Sequence, residues 1–122
     1  MIPEKMLQVL EDEGVVALAT QGALFHLVNS WNSYIEITEE GSLLIPAGRM
    51  HQTEANLKEN DRVLLTLGSR QVDGFRSKGT GFLIEGRGEF KYEGKDYALM
   101  KARFPWLRAV LVISPQSITQ TL

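Results

Sequence analysis

The chain contains no cysteine, which excludes disulfides, thiolate metal sites, iron–sulfur clusters, covalently attached haem and thiol nucleophiles together. Histidine is nearly as scarce. The two copies, His26 and His51, do not share the helical i, i+4 spacing that metal sites use. No excess of positive charge exists either: 13 Lys plus Arg stand against 15 Asp plus Glu, giving a formal net charge of -2. The broad basic footprint that nucleic acid or an anionic membrane surface requires is therefore missing. There is no apolar run of about 18 residues, and the start lacks a basic segment leading into an apolar core and cleavage site, so a cytoplasmic protein is expected. No serine sits in a nucleophile elbow and no Walker-type glycine loop occurs. The pair Gly79-Thr80-Gly81 is not followed by the third glycine and helix of a dinucleotide fingerprint. Redox chemistry in such a chain needs a non-covalently held organic cofactor.

What is present suits one compact domain, with 122 residues, 43% of them hydrophobic and 23% charged. Pro3 at a first helical position, the shared face of Met6, Leu7 and Leu10, and a stop at Gly14 predict a helix over 3–13. Short apolar segments then recur at 15–20, 24–31, 34–38, 43–46, 63–67, 82–92 and 109–114, punctuated by Gly, Asn and Pro, which predicts a mainly β barrel or sandwich. Within 82–92, Phe82, Ile84, Gly86, Gly88, Phe90 and Tyr92 alternate with charged residues, as a strand with one wet face does. Two further short helices are expected at 50–59, with Thr53 as a cap, and at 96–104, where Tyr97, Met100 and Phe104 share a face. The polar, glycine-bearing stretch 68–81 reads as a mobile loop and a candidate wall for a site.

Two clusters carry possible chemistry. In Pro46-Ala47-Gly48-Arg49-Met50-His51-Gln52-Thr53-Glu54-Ala55-Asn56 a strand end passes through glycine into a helix whose first turn offers free amides, a hydroxyl and nearby donors, a combination that can hold phosphate. In Val28-Asn29-Ser30-Trp31-Asn32-Ser33-Tyr34 an indole is crowded by amides and hydroxyls that can meet the edge of a planar heterocycle. Each also has a plain structural reading: Thr53 as a simple cap beside a solvated Arg49, and Trp31 as a core residue flanked by turn-forming asparagines. Phe104-Pro105-Trp106 adds another aromatic, and Gly68-Ser69-Arg70 adds a cation and a hydroxyl. Together they suggest a planar aromatic phosphate ester as ligand.

These blocks, with Glu13-Gly14-Val15-Val16-Ala17, His26-Leu27, Gly79-Thr80-Gly81-Phe82-Leu83-Ile84 and Gln120-Thr121-Leu122, resemble the small FMN-binding proteins of anaerobic sulfate-reducing bacteria nearly end to end. Those proteins belong to the flavin-binding split-barrel superfamily, together with pyridoxamine-phosphate oxidases and flavin reductases. The resemblance implies a six-stranded antiparallel split barrel of Greek-key type with short peripheral helices, a homodimer, and one non-covalent FMN per subunit near the dimer interface. It implies that Asn29, Ser30, Trp31 and Asn32 line the flavin, with Trp31 and Trp106 near the ring and Tyr34 as a further neighbour. It places Gly48, Met50, His51, Gln52 and Thr53 around the phosphate and ribityl chain, and Glu13 and Leu122 near the flavin at the interface, Leu122 from the other subunit. The chain departs from the family pattern twice: Gln52 stands where a lysine precedes the phosphate-binding threonine, and Arg49 stands where a second glycine follows Gly48. Arg49 is the expected replacement for the lost charge, because guanidinium grips phosphate with parallel hydrogen bonds. An electron carrier with an unidentified redox protein as donor or acceptor is the expected function. The alternatives are a flavin reductase or oxidase acting on NAD(P)H or a small amine, and a flavin storage module. Against the enzyme, no second cluster of cations for a substrate phosphate is visible in the sequence.

Overall fold

The structure is a computed structural model that describes residues 1–122. A short helix α1 (Glu4–Leu10) leads into strands β1 (Val15–Gln21) and β2 (Phe25–Trp31), a 3-10 turn (Asn32–Tyr34), β3 (Glu36–Ile37) and β4 (Leu43–Ala47). Helix α2 (His51–Glu59), the long strands β5 (Arg62–Asp73) and β6 (Lys78–Lys91), helix α3 (Lys95–Arg103) and β7 (Ala109–Gln120) complete the chain. The strands form one antiparallel sheet in the order β2-β1-β5-β6-β7-β4-β3. Val16 and Leu18 of β1 share a core cluster with Leu43 and Ile45 of β4, although three strands separate them in that order. The sheet therefore curls upon itself, as the split-barrel class demands. Seven strands are present, the number of apolar segments in the sequence, where the family resemblance implied six; the segment at 34–38 supplies only the two-residue edge strand β3. Met6 and Val9 of α1 close the barrel core, while Met100 and Phe104 pack with Leu44, Leu107, Val110 and Val112 in a second core on the outer face.

Three sequence expectations change. The stretch 68–81 is no loop: β5 and β6 continue through it as a ribbon, with Ser69 opposite Thr80 and Asp73 opposite Lys78, and only Gly74–Ser77 turns. One face of the ribbon is buried through Ser69, Val72 and Thr80 while the other is wet, and because two of those buried residues are polar the composition imitates a loop. Strand β7 likewise runs six residues past the predicted end at Ser114, after a register shift at Gly86 opposite Pro115. Helix α1 ends at Leu10, and Gly14 is not its cap. A Cβ at Gly14 would stand 2.8 Å from the Asn32 amide nitrogen and 2.9 Å from the Gly68 carbonyl oxygen. Its small size admits the Asn32 side chain rather than a left-handed turn.

The outer face of β2, β1 and β5 is unusually apolar for a surface. In register, Leu27, Ala19 and Leu64 form one row and Trp31 and Val15 another. Phe25 is 83% exposed and Leu27 71%.

Candidate functional site

The end of β2, the end of β4 and the residues after α3 meet at one end of the barrel. Val28, Asn29, Ser30, Trp31, Tyr34, Pro46, Gly48, Arg49, Met50 and Trp106 surround a cleft of about 220 Å³ there. Tyr34, Phe104 and Trp106 form a triangle with ring centroids 5.0 to 5.7 Å apart, in tilted and edge-on arrangements that favour aromatic pairs. Trp106 lies against the backbone at Gly48, where a Cβ would come within 3.2 Å of its ring. The absent side chain is what lets the indole lean over the strand end. Trp31 and Trp106 nevertheless remain 40% and 52% exposed, so two large apolar rings border an open cleft.

Behind this cleft, Met50 adopts the left-handed conformation with φ 65 and serves as the N-cap of α2. A non-glycine residue there costs about 1–3 kcal/mol, which places such residues at functional turns more often than elsewhere. No side chain caps the helix. Its first amides, from His51, Gln52 and Thr53, thus retain free donor capacity at the positive end of the helix dipole. Thr53 is not the cap that its sequence position suggested. It sits inside the first turn, fully buried, and its Oγ1 has no hydrogen-bond partner. An orphaned hydroxyl of this kind costs about 1–3 kcal/mol. A ligand oxygen at the helix start would remove that cost. Gln52 turns along the helix and donates from Nε2 to Asn56 Oδ1 at 2.9 Å, and His51 is exposed.

One cation at this helix was not anticipated from sequence. Arg108, just ahead of β7, pairs its Nη1 with Glu54 Oε1 at 3.0 Å and donates from Nη2 to the Arg49 carbonyl at 2.6 Å. Its Nε is buried without a partner. Glu54 in the first turn favours the helix dipole but repels an anion arriving at the same end, and Arg108 neutralises it. The only sequence signal was a lone arginine between the aromatic Trp106 and an apolar strand.

The structure brings Asn29, Ser30, Trp31, Gly48, Arg49, Met50 and Trp106 together, with His51, Gln52 and Thr53 in the turn behind them. Asn32 turns the other way. Its buried Nδ2 donates to the carbonyls of Val9, Asp12 and Gly68 at 3.0 to 3.3 Å, tying α1, β5 and the 3-10 turn together, while Oδ1 is unpartnered. Glu13 and Leu122 are not in this cleft either. Both line a separate cleft of about 790 Å³ between the β5–β6 hairpin and the start of β1. Glu13 accepts hydrogen bonds from the Gly14 N–H at 3.1 Å and the Ser33 hydroxyl at 3.0 Å, and these hold its carboxyl below the usual carboxylate range. The carbonyl of Leu122 is held at 2.8 Å by Thr80 Oγ1.

The residues present suit a phosphorylated aromatic ligand: free helix amides and an orphaned hydroxyl for the phosphate, and exposed indoles for a ring. The FMN-binding protein of Nitratidesulfovibrio vulgaris is 50% identical over 123 residues, covering 100% of both chains. Among solved structures, HupZ of Group A Streptococcus superposes with a TM-score of 0.78 at 18% identity, covering 98% of this chain and 94% of that one. An FMN-binding protein of Syntrophomonas wolfei gives 0.74 at 18% identity, covering 98% and 85%. At that identity the two structures speak for the fold alone. The family described as pyridoxamine 5'-phosphate oxidase matches residues 2–122, and the chain belongs to it.

Proposed function

We propose that this chain binds FMN non-covalently at the strand-end cleft and serves as an electron carrier. The observation that carries the reading is Thr53, a buried hydroxyl without a partner in the uncapped first turn of α2, directly behind a cleft bordered by two exposed indoles. In this reading the amides of His51, Gln52 and Thr53, the Thr53 hydroxyl and Arg49 hold the phosphate. Arg49 is the cation available for the role, because it makes no ion pair and lines the cleft, whereas Gln52 is engaged with Asn56. Trp31 and Trp106 cover the ring, and Asn29 and Ser30 offer polar groups to its edge. When bound, the flavin supplies the electron chemistry, and the protein governs solvent access, hydrogen bonding and local charge.

A homodimer completes the proposal. The cleft of about 220 Å³ is smaller than the roughly 300–1,000 Å³ usual for small-molecule sites, so one subunit encloses only part of the cofactor. The apolar face carrying Phe25, Leu27, Leu64 and Val15 ends in Trp31 itself, and a patch of this kind marks an interface. A second copy docked there would bring new walls to the cleft, Leu122 and Glu13 being the candidates from the sequence. Leu27→Lys should produce monomers in analytical ultracentrifugation and weaken FMN binding. A dimer that survives the lysine with unchanged FMN affinity would remove this face from the proposal.

The deciding experiment is the absorption spectrum of the purified protein, followed by release and identification of the chromophore. A yellow protein that releases FMN is expected. A colourless one that gains no colour and shows no affinity when FMN is added ends the reading. Stopped-flow mixing with NADH and NADPH then separates a carrier, which reacts slowly, from a reductase.

A further inference from the structure

Helix α2 is fastened to the barrel by two adjacent buried residues of opposite character. Leu57 enters the main apolar core, and Asn56 carries the polar contacts. Apolar burial has no direction of its own, whereas hydrogen bonds fix direction as well as distance. Asn56 commits its whole side chain to such bonds. Its Nδ2 donates to Thr20 Oγ1 of β1 and to the Leu24 carbonyl in the turn between β1 and β2, both at 3.2 Å, and its Oδ1 accepts from Gln52 Nε2 at 2.9 Å. The Leu24 carbonyl can only accept, so it determines which way round the amide lies.

A glycine makes room for this arrangement. Gly22, in the same turn, lacks the positive φ of Gly41, Gly79 and Gly94, so its backbone does not demand glycine. Space does. A Cβ at Gly22 would stand 2.6 Å from Asn56 Oδ1 and 2.7 Å from Glu59 Oε2. Glu59 is long and exposed and can swing aside, but Asn56 is short, buried and bonded to three partners. Thr53, whose buried hydroxyl has no partner, and Gln52 both lie about one turn before Asn56. One turn of an α-helix behaves as a rigid rod. What sets Asn56 against β1 therefore also sets where the amides of 51–53 and the Thr53 hydroxyl stand.

We propose that Asn56 is the positioning residue of the phosphate seat, and that Gln52 serves phosphate binding through Asn56 rather than by touching the ligand. This inference rests on the FMN site proposed at the start of α2. Gln52 lies back along the helix, which leaves the helix start clear and places its donor on Asn56. The turn at 22–24, at the other end of β2 from Trp31, thereby takes part in holding a phosphate that it never touches.

The test compares the affinities of FMN and riboflavin, which lacks the phosphate, for the full chain and its variants. Asn56→Ala should weaken FMN by about tenfold and riboflavin by less than about twofold. Gly22→Ala alters no residue of the cleft and keeps the test independent of whether Asn56→Ala folds. It should repeat the split, with a loss of about three- to tenfold for FMN. The loss should persist in a Glu59→Ala background, since Asn56 is the neighbour that cannot yield. Gln52→Leu combined with Asn56→Ala should cost little more than Asn56→Ala alone, because both changes break one bond. In the flavin-free protein, Gly22→Ala should also move the backbone amide resonances of 51–53. The proposal is overturned if riboflavin weakens in step with FMN, if Gly22→Ala leaves FMN affinity unchanged, if the Gln52 and Asn56 losses add in full, or if the resonance shifts stop short of 51–53. The flavin reading fails separately, when the unaltered protein shows no affinity for FMN, and the shifts at 51–53 then still decide whether Asn56 positions the helix start.

Discussion

The two clefts differ in a way that their sizes misrepresent. The smaller, at about 220 Å³, is walled by packed aromatics and backbone, with Trp106 fixed against Gly48 and α2 fixed by Arg108. The larger, at about 790 Å³, is walled on one side by long, exposed cations on a two-stranded ribbon. Rigid donors lose little entropy when a ligand arrives, whereas mobile arginine and lysine side chains lose much. The strand-end cleft would therefore lose less entropy on taking up a ligand than the hairpin cleft would.

The largest expected effect is at Thr53. Thr53→Val keeps the shape and deletes the orphaned hydroxyl, so FMN affinity should fall by roughly 10- to 100-fold, the worth of a hydrogen bond to a charged group. Riboflavin, which lacks the phosphate, should bind as before. Melting temperature should hold or rise slightly, because a buried unpartnered group has been removed. Equal losses for FMN and riboflavin would show that Thr53 shapes the cleft without touching phosphate.

Next comes Arg108. Arg108→Gln leaves Glu54 unpaired at the helix end, and FMN affinity should drop about tenfold, in the range that loss of a partly buried ion-pair partner produces. Adding Glu54→Gln should restore most of it. A double variant as weak as the single one would mean that Arg108 acts through the Arg49 carbonyl instead. Arg49→Ala should cost less, about two- to fivefold at physiological salt, since its charge is exposed. The loss should shrink as salt is raised, and affinity with an unchanged salt dependence would exclude Arg49 as the stand-in for lysine.

Glu13 gives the smallest effect and the sharpest contrast between the clefts. Its folded carboxyl titrates lower than it does in the unfolded chain, so its hydrogen bonds to Gly14 and Ser33 stabilise the fold above the ordinary carboxylate range. That contribution disappears as pH falls through the lowered value. Glu13→Gln should thus flatten part of the acid limb of a stability profile. If a second copy carries Glu13 to the flavin, the same variant should also raise the reduction potential, because a fixed negative charge opposes reduction. An unchanged potential alongside the altered acid limb would confine Glu13 to the hairpin cleft.

Much of the candidate cleft's lining was legible because its parts are local. Trp31 lies at a strand end, Gly48 precedes a helix, and Thr53 falls in that helix's first turn, all within short stretches of chain. Sequence misread features whose meaning depends on distant partners. Thr53 was taken for a cap because capping residues and first-turn residues have the same composition, and only the left-handed Met50 decides between them. Asn32 was placed with its neighbours at the ligand, yet its amide is claimed by carbonyls more than 20 residues away or close to it, at Val9, Asp12 and Gly68. The cations of the hairpin were scattered across a supposed loop, and pairing of β5 with β6 assembled them.

The amino-acid order by itself determined a mainly β chain with short helices, its apolar alternation, and the chemistry of a phosphate-and-ring site, since these follow from residue type and spacing along a few turns or strands. Tertiary structure alone decided which cation guards the helix start, which way Asn32 faces, and that Glu13 and Leu122 share a cleft apart from the indoles. Those outcomes depend on how a curled sheet brings remote segments together, and no local pattern encodes that distance.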